Sequence, residues 1–301
     1  MAEQRVIGVD LGGTKILAGV VDRAGAVGRR RETPTPTGSQ SELLEALESA
    51  VAELVEDDVA ALGFGIPSTI DQRSGRAVSS VNIPLADLDL RAWMGDRFGL
   101  PVGLDNDANA ATLAEWAHGA GRGTRHMVML TLGTGVGGGL ILDGRPYRGA
   151  IGAGAELGHM VIDLDGPPCQ GSCTGRGHLE SLASGRAATL MAQEAFGPAV
   201  DAHRLVRLAR EGDANAVEIL ATLGRRLGAA LGSLVNIFNP ELVVIGGGFA
   251  AAGDFVLDPA REILRREALA GAGERVPIVR AELGTAAGLI GAGLVAFDAV
   301  A

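Results

Sequence analysis

Hydrophobic positions in this chain fall into short apolar runs separated by glycine-rich turns, and one such arrangement occurs twice. The first copy runs Val6-Ile7-Gly8-Val9-Asp10-Leu11, turns through Gly12-Gly13-Thr14 and resumes as the apolar run Ile16 to Val21, closed by Asp22. The second runs Val128-Met129-Leu130-Thr131-Leu132, turns through Gly133-Thr134-Gly135, passes Gly137-Gly138-Gly139 and resumes as Leu140-Ile141-Leu142, closed by Asp143. When Asp10 is aligned with Thr131, the closing aspartates also align. Short apolar runs bounded by glycine read as buried strands, so the pattern predicts two strand-turn-strand hairpins and two related half-molecules.

The remaining pattern supplies the other elements. Leu43, Leu44, Leu47, Val51, Leu54 and Val55 recur at helical spacing and predict a helix over Ser41 to Glu56. Leu62 to Ile66 and Pro101 to Leu104 read as buried strands, and an Ala-rich helix is expected from Ala108 to Ala117. Gly119, Gly121 and Gly123 form a hinge-like stretch. Beyond the second hairpin, Gly149 to Gly177 is irregular, and a long helix is expected from Ala214 to Ile237. A strand at Leu242 to Ile245 runs into Gly246-Gly247-Gly248, and a small-residue helix spans Ala286 to Ala299. The expected division is a smaller α/β domain over 1–118, a larger one over 119–285, and a C-terminal helix over 286–301 packing back on the first domain.

Composition narrows the function. The chain has 301 residues, 46 of them Gly, with 47% hydrophobic and 3% aromatic residues, which suits an α/β enzyme built from aliphatic cores and tight turns. A net charge of −10 argues against a nucleic-acid groove, because phosphate contacts need clustered Lys and Arg. The basic run Arg29-Arg30-Arg31 reads as a solvated strand edge. No apolar run is long enough to span a membrane, and the first strand starts too early for a signal peptide, so a cytoplasmic protein is expected. Cys169 and Cys173 are the two cysteines, and their close spacing directs attention to metal binding rather than to a disulfide.

Bare-backbone turns allow phosphate oxygens to approach N–H groups, so Gly12-Gly13-Thr14 and Gly133-Thr134-Gly135 point to ATP chemistry, with Lys15 available to a phosphate. Each is also a plausible plain hairpin turn. Asp107 ends a strand and begins a helix, where a carboxylate can take a proton from an attacking hydroxyl; the same position suits helix capping by Asp105, Asn106 or Asp107. His159, Cys169, Cys173 and His178 lie within about twenty residues of one another and offer a tetrahedral set of two thiolates and two imidazoles.

Over essentially its whole length the chain resembles the ROK group of repressors, open reading frames and sugar kinases. Asp10-Leu11-Gly12-Gly13-Thr14-Lys15 looks like that family's first phosphate motif, Gly133 to Gly139 like its second, and Gly246-Gly247-Gly248 like its adenosine motif. Asn106-Asp107-Ala108-Asn109 matches the element carrying the catalytic aspartate, and Glu156-Leu157-Gly158-His159 with Glu180 matches the sugar-hydroxyl ligands. The family's zinc motif, usually Cys-x-Cys-Gly-x-x-Gly-Cys-x-Glu, is altered. Cys173 keeps its place, His178 replaces the last Cys, Gly171 replaces the first, and Cys169 stands two residues earlier.

The resemblance implies a two-domain α/β protein of the actin/hexokinase-like (ribonuclease H-like) fold, with a cleft between its domains. It implies an ATP-dependent hexose kinase, most simply a glucokinase, in which Asp107 takes the proton of the sugar 6-hydroxyl. Asp10 would hold the Mg²⁺ shell. Asp10, Gly12, Gly13, Thr14, Lys15, Thr134, Gly135, Gly137, Gly246, Gly247 and Gly248 would bind ATP. Ser68, Asn82, Asn106, Asp107, Glu156, His159 and Glu180 would bind the sugar, and a structural Zn²⁺ would sit on His159, Cys169, Cys173 and His178. A homodimer or homotetramer is expected, with a small-molecule sugar and ATP as partners and neither nucleic acid nor membrane. An N-acetylmannosamine, fructose or allose kinase, or a sugar-sensing regulator lacking a DNA-binding domain, are the other readings.

Overall fold

The computed structural model describes residues 4–80, 83–171, 173–269 and 271–300. In chain order the elements are β1 (Arg5–Leu11), β2 (Lys15–Asp22), β3 (Val27–Pro34), α1 (Gln40–Ala52), β4 (Val59–Ile66), β5 (Ser68–Asp71), β6 (Arg76–Ser80), β7 (Ala86–Asp89), α2 (Leu90–Phe98), β8 (Val102–Asn106) and α3 (Asp107–His118). Then follow β9 (Met127–Leu132), β10 (Val136–Leu142), β11 (Arg145–Pro146), α4 (Leu179–Ala183), α5 (Gly185–Phe196), α6 (Ala202–Arg210), α7 (Ala214–Phe238), β12 (Leu242–Gly246), α8 (Asp254–Glu267), β13 (Ile278–Arg280) and α9 (Ala287–Asp298). The chain divides into two compact units, one of Met1–Gly123, Pro146–Ala155 and Glu282–Ala301, the other of Thr124–Arg145 and Glu156–Ala281. This differs from a linear division of the sequence at 118 and 285. Pro146–Ala155 groups with the first unit, where Arg148 pairs with Asp105 and Gly152 sits against the carbonyl of Ile70.

The first unit is built on a sheet of order β3-β2-β1-β4-β8, with β2 and β3 antiparallel and β4 and β8 parallel to their neighbours. Side chains alternate across β1: Ile7, Val9 and Leu11 enter a core shared with Leu43 and Leu47 of α1, while Gly8 and Asp10 face the other side. On that other side Gly19, Gly8, Gly63 and Gly103 stand in cross-strand register, and α9 lies directly over them. A Cβ at Gly8 would collide with the Leu289 carbonyl, one at Gly63 with that of Ala292, and one at Gly103 with that of Val295. The bare row is what lets helix backbone rest on sheet backbone. A separate three-stranded sheet, β5-β6-β7, follows β4; the sequence pattern gave no signal for it.

The second unit repeats the plan with order β11-β10-β9-β12-β13, in which β9 and β10 are antiparallel and β12 and β13 parallel to their neighbours. Its long helix α7 is capped by Asp213, which accepts from Ala216 N, and ends on Asn239 at φ 44. Gly224, Gly228 and Gly232, four residues apart, give α8 a close seat along one face of α7. Among the described residues no helix is long and apolar enough to cross a membrane.

Candidate functional site

In the first unit the carboxylates gather at the C-terminal ends of the parallel strands. Asp10 of β1 pairs in register with Gly65 of β4, and Gly65 with Asp105 of β8, so the two aspartates flank a residue with no side chain. The first turn of α3 covers that space: Ala110 Cβ lies 3.2 Å and the Cα of Asp107, its first residue, 3.6 Å from where a Gly65 Cβ would be. The position follows from the strand ending at Asn106, whose Oδ1 caps α3 by accepting from Ala108 N at 2.9 Å and Asn109 N at 3.2 Å. With Asn106 serving as the cap, the Asp107 carboxylate is left at the first helical position, where one oxygen also accepts from Ala108 N at 2.9 Å.

Asp10 lies over Gly288 at the start of α9, where any Cβ would collide with its carboxylate. Withdrawal from solvent pushes its pKa up to about 7 from the usual 3.8; the Asp107 charge adds to the rise and Lys15 opposes it. The turn after Asp10 is held by Gly12 N donating to Lys15 O at 2.9 Å and by Thr35 Oγ1 donating to Gly12 O at 2.7 Å, leaving Gly13, Thr14 and Lys15 exposed. Lys15 Nζ pairs with Glu32 across the hairpin at 2.9 Å. Ser68 is buried beside this region, and its carbonyl accepts from Asn106 Nδ2 at 3.5 Å. Asn82 lies outside the described residues.

In the second unit Thr131 takes the place that Asp10 has in the first, paired with Gly137 and Gly246. The turn Gly133-Thr134-Gly135 closes on a 2.9 Å bond from Gly133 N to Gly135 O and is held from below by α5, whose Gly185 N donates to Gly133 O at 2.8 Å. Glu180 of α4 reaches the same turn and accepts from Val136 N at 2.9 Å. Gly247 (φ 85) lies against the backbone of Leu132, so Gly246-Gly247-Gly248 and the Gly133 turn are neighbours. Beyond them a cavity of 590 Å³ is lined by Arg210, Val217, Ala221, Ala252, Phe255 and Arg280.

The His/Cys loop stands beside Glu180. Glu156 precedes a single turn, Leu157–His159, seated on β10 through Gly158, which lies against the Val136 carbonyl. Desolvation raises the Glu156 pKa; His159 opposes the shift and Glu180 adds to it, which makes the three side chains electrostatic neighbours. His159, Cys169, Cys173 and His178 place one ligand atom each within 4.8 Å of all the others. His159 Nδ1 to His178 Nδ1 is 3.3 Å, Cys169 Sγ to His159 Nδ1 is 3.6 Å, and Cys173 Sγ to His178 Nδ1 is 3.7 Å. A tetrahedron with zinc bonds of about 2.0 Å to nitrogen and 2.3 Å to sulfur has edges of about 3.3 Å (N to N) and 3.5 Å (S to N). The three measured separations lie close to those edges, so the donor set suits a four-coordinate zinc with both histidines using Nδ1. Gln170, inside the loop, donates from Nε2 to Glu180 O at 3.4 Å and Ser184 Oγ at 3.2 Å, tying the loop to the elements that hold the Gly133 turn.

Arg148 and its pair with buried Asp105 are absent from the site expected on sequence. An arginine in a glycine-rich stretch carries no periodicity or motif that could have singled it out.

The ROK family pattern matches residues 6–299. The glucokinase of Streptomyces coelicolor is 36% identical over 305 residues, covering 95% of each chain. Among solved structures, a ROK hexokinase from Thermus thermophilus has a TM-score of 0.87 at 40% identity and 99% coverage of both chains. A ROK family glucokinase from Streptomyces griseus, solved in complex with glucose and AMPPNP, has a TM-score of 0.86 at 36% identity, covering 98% of this chain and 99% of that one. The duplicated sheet plan is the actin/hexokinase-like ATPase fold. With the pattern spanning nearly every residue and relatives of this identity aligned end to end, the chain belongs to the ROK family.

Proposed function

We propose that the protein phosphorylates a hexose at its 6-hydroxyl with ATP and that glucose is the preferred sugar. The observation that carries this reading is Asp107 standing over Gly65 at the end of β4 and beside Asp10, in a chain whose second hairpin keeps an open Gly133-Thr134-Gly135 turn. Glucokinase relatives at 36% identity, one of them solved with glucose and an ATP analogue, support the same reaction and sugar.

Asp107 acts as the general base. It accepts the 6-hydroxyl proton as that oxygen bonds to the γ-phosphorus, while the bond from the γ-phosphorus to the bridging oxygen breaks and ADP departs. Asn106 takes over the capping of α3, so the catalytic carboxylate need not do so. Asp10 would hold Mg²⁺ through its ionised carboxylate, and the cation's charge would oppose the burial and the Asp107 charge that raise the Asp10 pKa; bound Mg²⁺ would also neutralise charge on the phosphates. Gly12, Gly13 and Thr14 in one unit, and Thr134, Gly135 and Gly137 in the other, are each exposed or half-exposed and offer backbone to phosphate oxygens. Gly246, Gly247 and Gly248 lead into the turn whose Ala251 and Ala252 line the cavity of 590 Å³, a size suited to a nucleoside. Lys15 contributes less, because Glu32 already engages it.

Ser68, Asn106, Glu156, His159 and Glu180 supply the paired donors and acceptors that sugar hydroxyls need. His159 would bind zinc through Nδ1, leaving Nε2 for a hydroxyl. Zinc would fix the loop architecturally, since four protein ligands leave no open position for bond chemistry.

The test is a coupled ADP-release assay over glucose, mannose, N-acetylmannosamine, fructose and allose, with the product identified directly. Glucose 6-phosphate formation with the highest kcat/KM for glucose is expected. ADP release with none of these sugars would refute the kinase reading, and a higher kcat/KM for another sugar would refute the assignment of glucose.

A further inference from the structure

Arg148 has no role in the reaction as described, yet it is joined to the element that carries Asp107. Its Nε donates to Asp105 Oδ2 at 2.6 Å. Asp105 is 1% exposed, and its other oxygen accepts from Asn106 N at 2.9 Å and Asn109 Nδ2 at 3.3 Å. Every one of these bonds ends on the β8–α3 junction, on residues one or two positions from Asp107. Burial pushes the Asp105 carboxyl up, and the Arg148 guanidinium is the first force opposing it.

The main chain of Arg148 anchors a second feature. Its carbonyl accepts from Gly154 N at 2.9 Å, closing residues 148–154 into a compact ring, and Gly152 at φ 84 is seated against the Ile70 carbonyl of β5. Two residues after this ring the chain reaches Glu156. The side chain of Arg148 thus grips the junction bearing the proposed base, while its main chain anchors the ring that holds it in the first unit.

A buried ion pair is a weak source of net stability, because desolvating both charges offsets most of their attraction; apolar side chains would fill the same space as well. What the pair supplies is direction. An ionised Asp105 accepts two hydrogen bonds on one oxygen and a charge-assisted bond on the other, and these fix the backbone at Asn106.

We propose that Arg148 is a positioning residue for phosphoryl transfer: by pairing with Asp105 it sets the Asn106–Asp107 junction. This rests on the hexose kinase reading. Arg148 touches neither reacting group and acts through Asp105.

The experiment compares wild type, Arg148→Lys and Arg148→Met for kcat and for KM of glucose and ATP, at a temperature where circular dichroism shows each folded. Arg148→Met is expected to lower kcat about 10- to 100-fold, the scale of a misplaced reacting group, with the KM for ATP within about twofold. Arg148→Lys, which restores the charge, should recover at least tenfold of that loss in kcat or return it to the wild-type value. If Arg148→Met does not fold, Arg148→Gln replaces it with the same expectation. A neutral variant with wild-type kcat would overturn the inference, as would a kcat loss that lysine does not repair. Wild type that phosphorylates no hexose would instead refute the kinase reading, so the two failures are separable.

Discussion

The two units share one strand plan and diverge in what they place on it. In the first, the central row reads Asp10–Gly65–Asp105; in the second, the matching positions read Thr131–Gly246. The first unit therefore puts a carboxylate where the second puts a neutral hydroxyl, and α3 adds Asp107 over the glycine gap. In the second unit the space around the hairpin is used for grip: Glu180 on Val136 N, α5 beneath Gly133, and the His/Cys loop tied to both through Gln170. Each unit carries a turn of the same kind, and the residues beside it differ: carboxylates in the first, a neutral hydroxyl and hydrogen-bonded supports in the second.

The largest contrast to test is Asp10 against Thr131. Folding raises the Asp10 pKa from 3.8 to about 7, so between these values the folded state binds a proton that the unfolded state has released. Stability must then fall as pH rises from about 4 to 7 and stay reduced above that. A rise of this size corresponds to a penalty of roughly 4 kcal/mol at full ionisation, as an order of magnitude. Asp10→Asn is expected to be more stable than wild type above pH 7 by up to that amount, equal to it below pH 4, and nearly inactive. Denaturant titrations at several pH values without Mg²⁺ measure this, and identical pH dependence in both proteins would break the contrast. Thr131→Val carries no ionisable group and should leave the pH profile of stability unchanged.

A middle-sized effect is expected at the His/Cys loop. Cys173→Ala should remove zinc, raise the sugar KM by about tenfold, lower thermal stability and leave ATP affinity unchanged, because the loop supports Glu156 and Glu180. Elemental analysis of wild type purified without chelators should find about one zinc per chain. Its absence would reduce the cluster to ordinary loop residues.

The smallest effect belongs to Lys15. Since it is paired with Glu32 and 48% exposed, Lys15→Ala should change kcat/KM for ATP by less than about fivefold, within the range of an exposed ion pair. A loss of a hundredfold would return Lys15 to the phosphate.

Much of this was legible in the chain. The repeated apolar run and glycine turn foretold both hairpins, because period and turn chemistry are local properties. Helical spacing located α1 to within a few residues, and a strand expected over Pro101 to Leu104 before a helix from Ala108 put Asp107 near the helix start, where the structure has β8 run on to Asn106 and α3 begin at Asp107. The Cys/His set was also legible, since its members lie close in sequence. Long-range pairings were not: no local signal links Arg148 to Asp105, 43 residues apart, or sends Pro146–Ala155 to the first unit. The β5-β6-β7 sheet was missed for a related reason, as strands of four or five residues are too short to establish a period. The glycine row under α9 was visible only as composition until register aligned it.

The central claim is that the first unit supplies the base, and it is tested most directly by a single-turnover measurement on Asp107→Asn. With sugar and Mg·ATP preloaded, the rate constant for phosphoryl transfer should fall about a hundredfold or more, while equilibrium binding of glucose and of an ATP analogue stays within about twofold of wild type. The amide keeps the size of the side chain and cannot take the proton. A transfer rate near that of wild type would reduce Asp107 to a residue of the helix start and contradict the account.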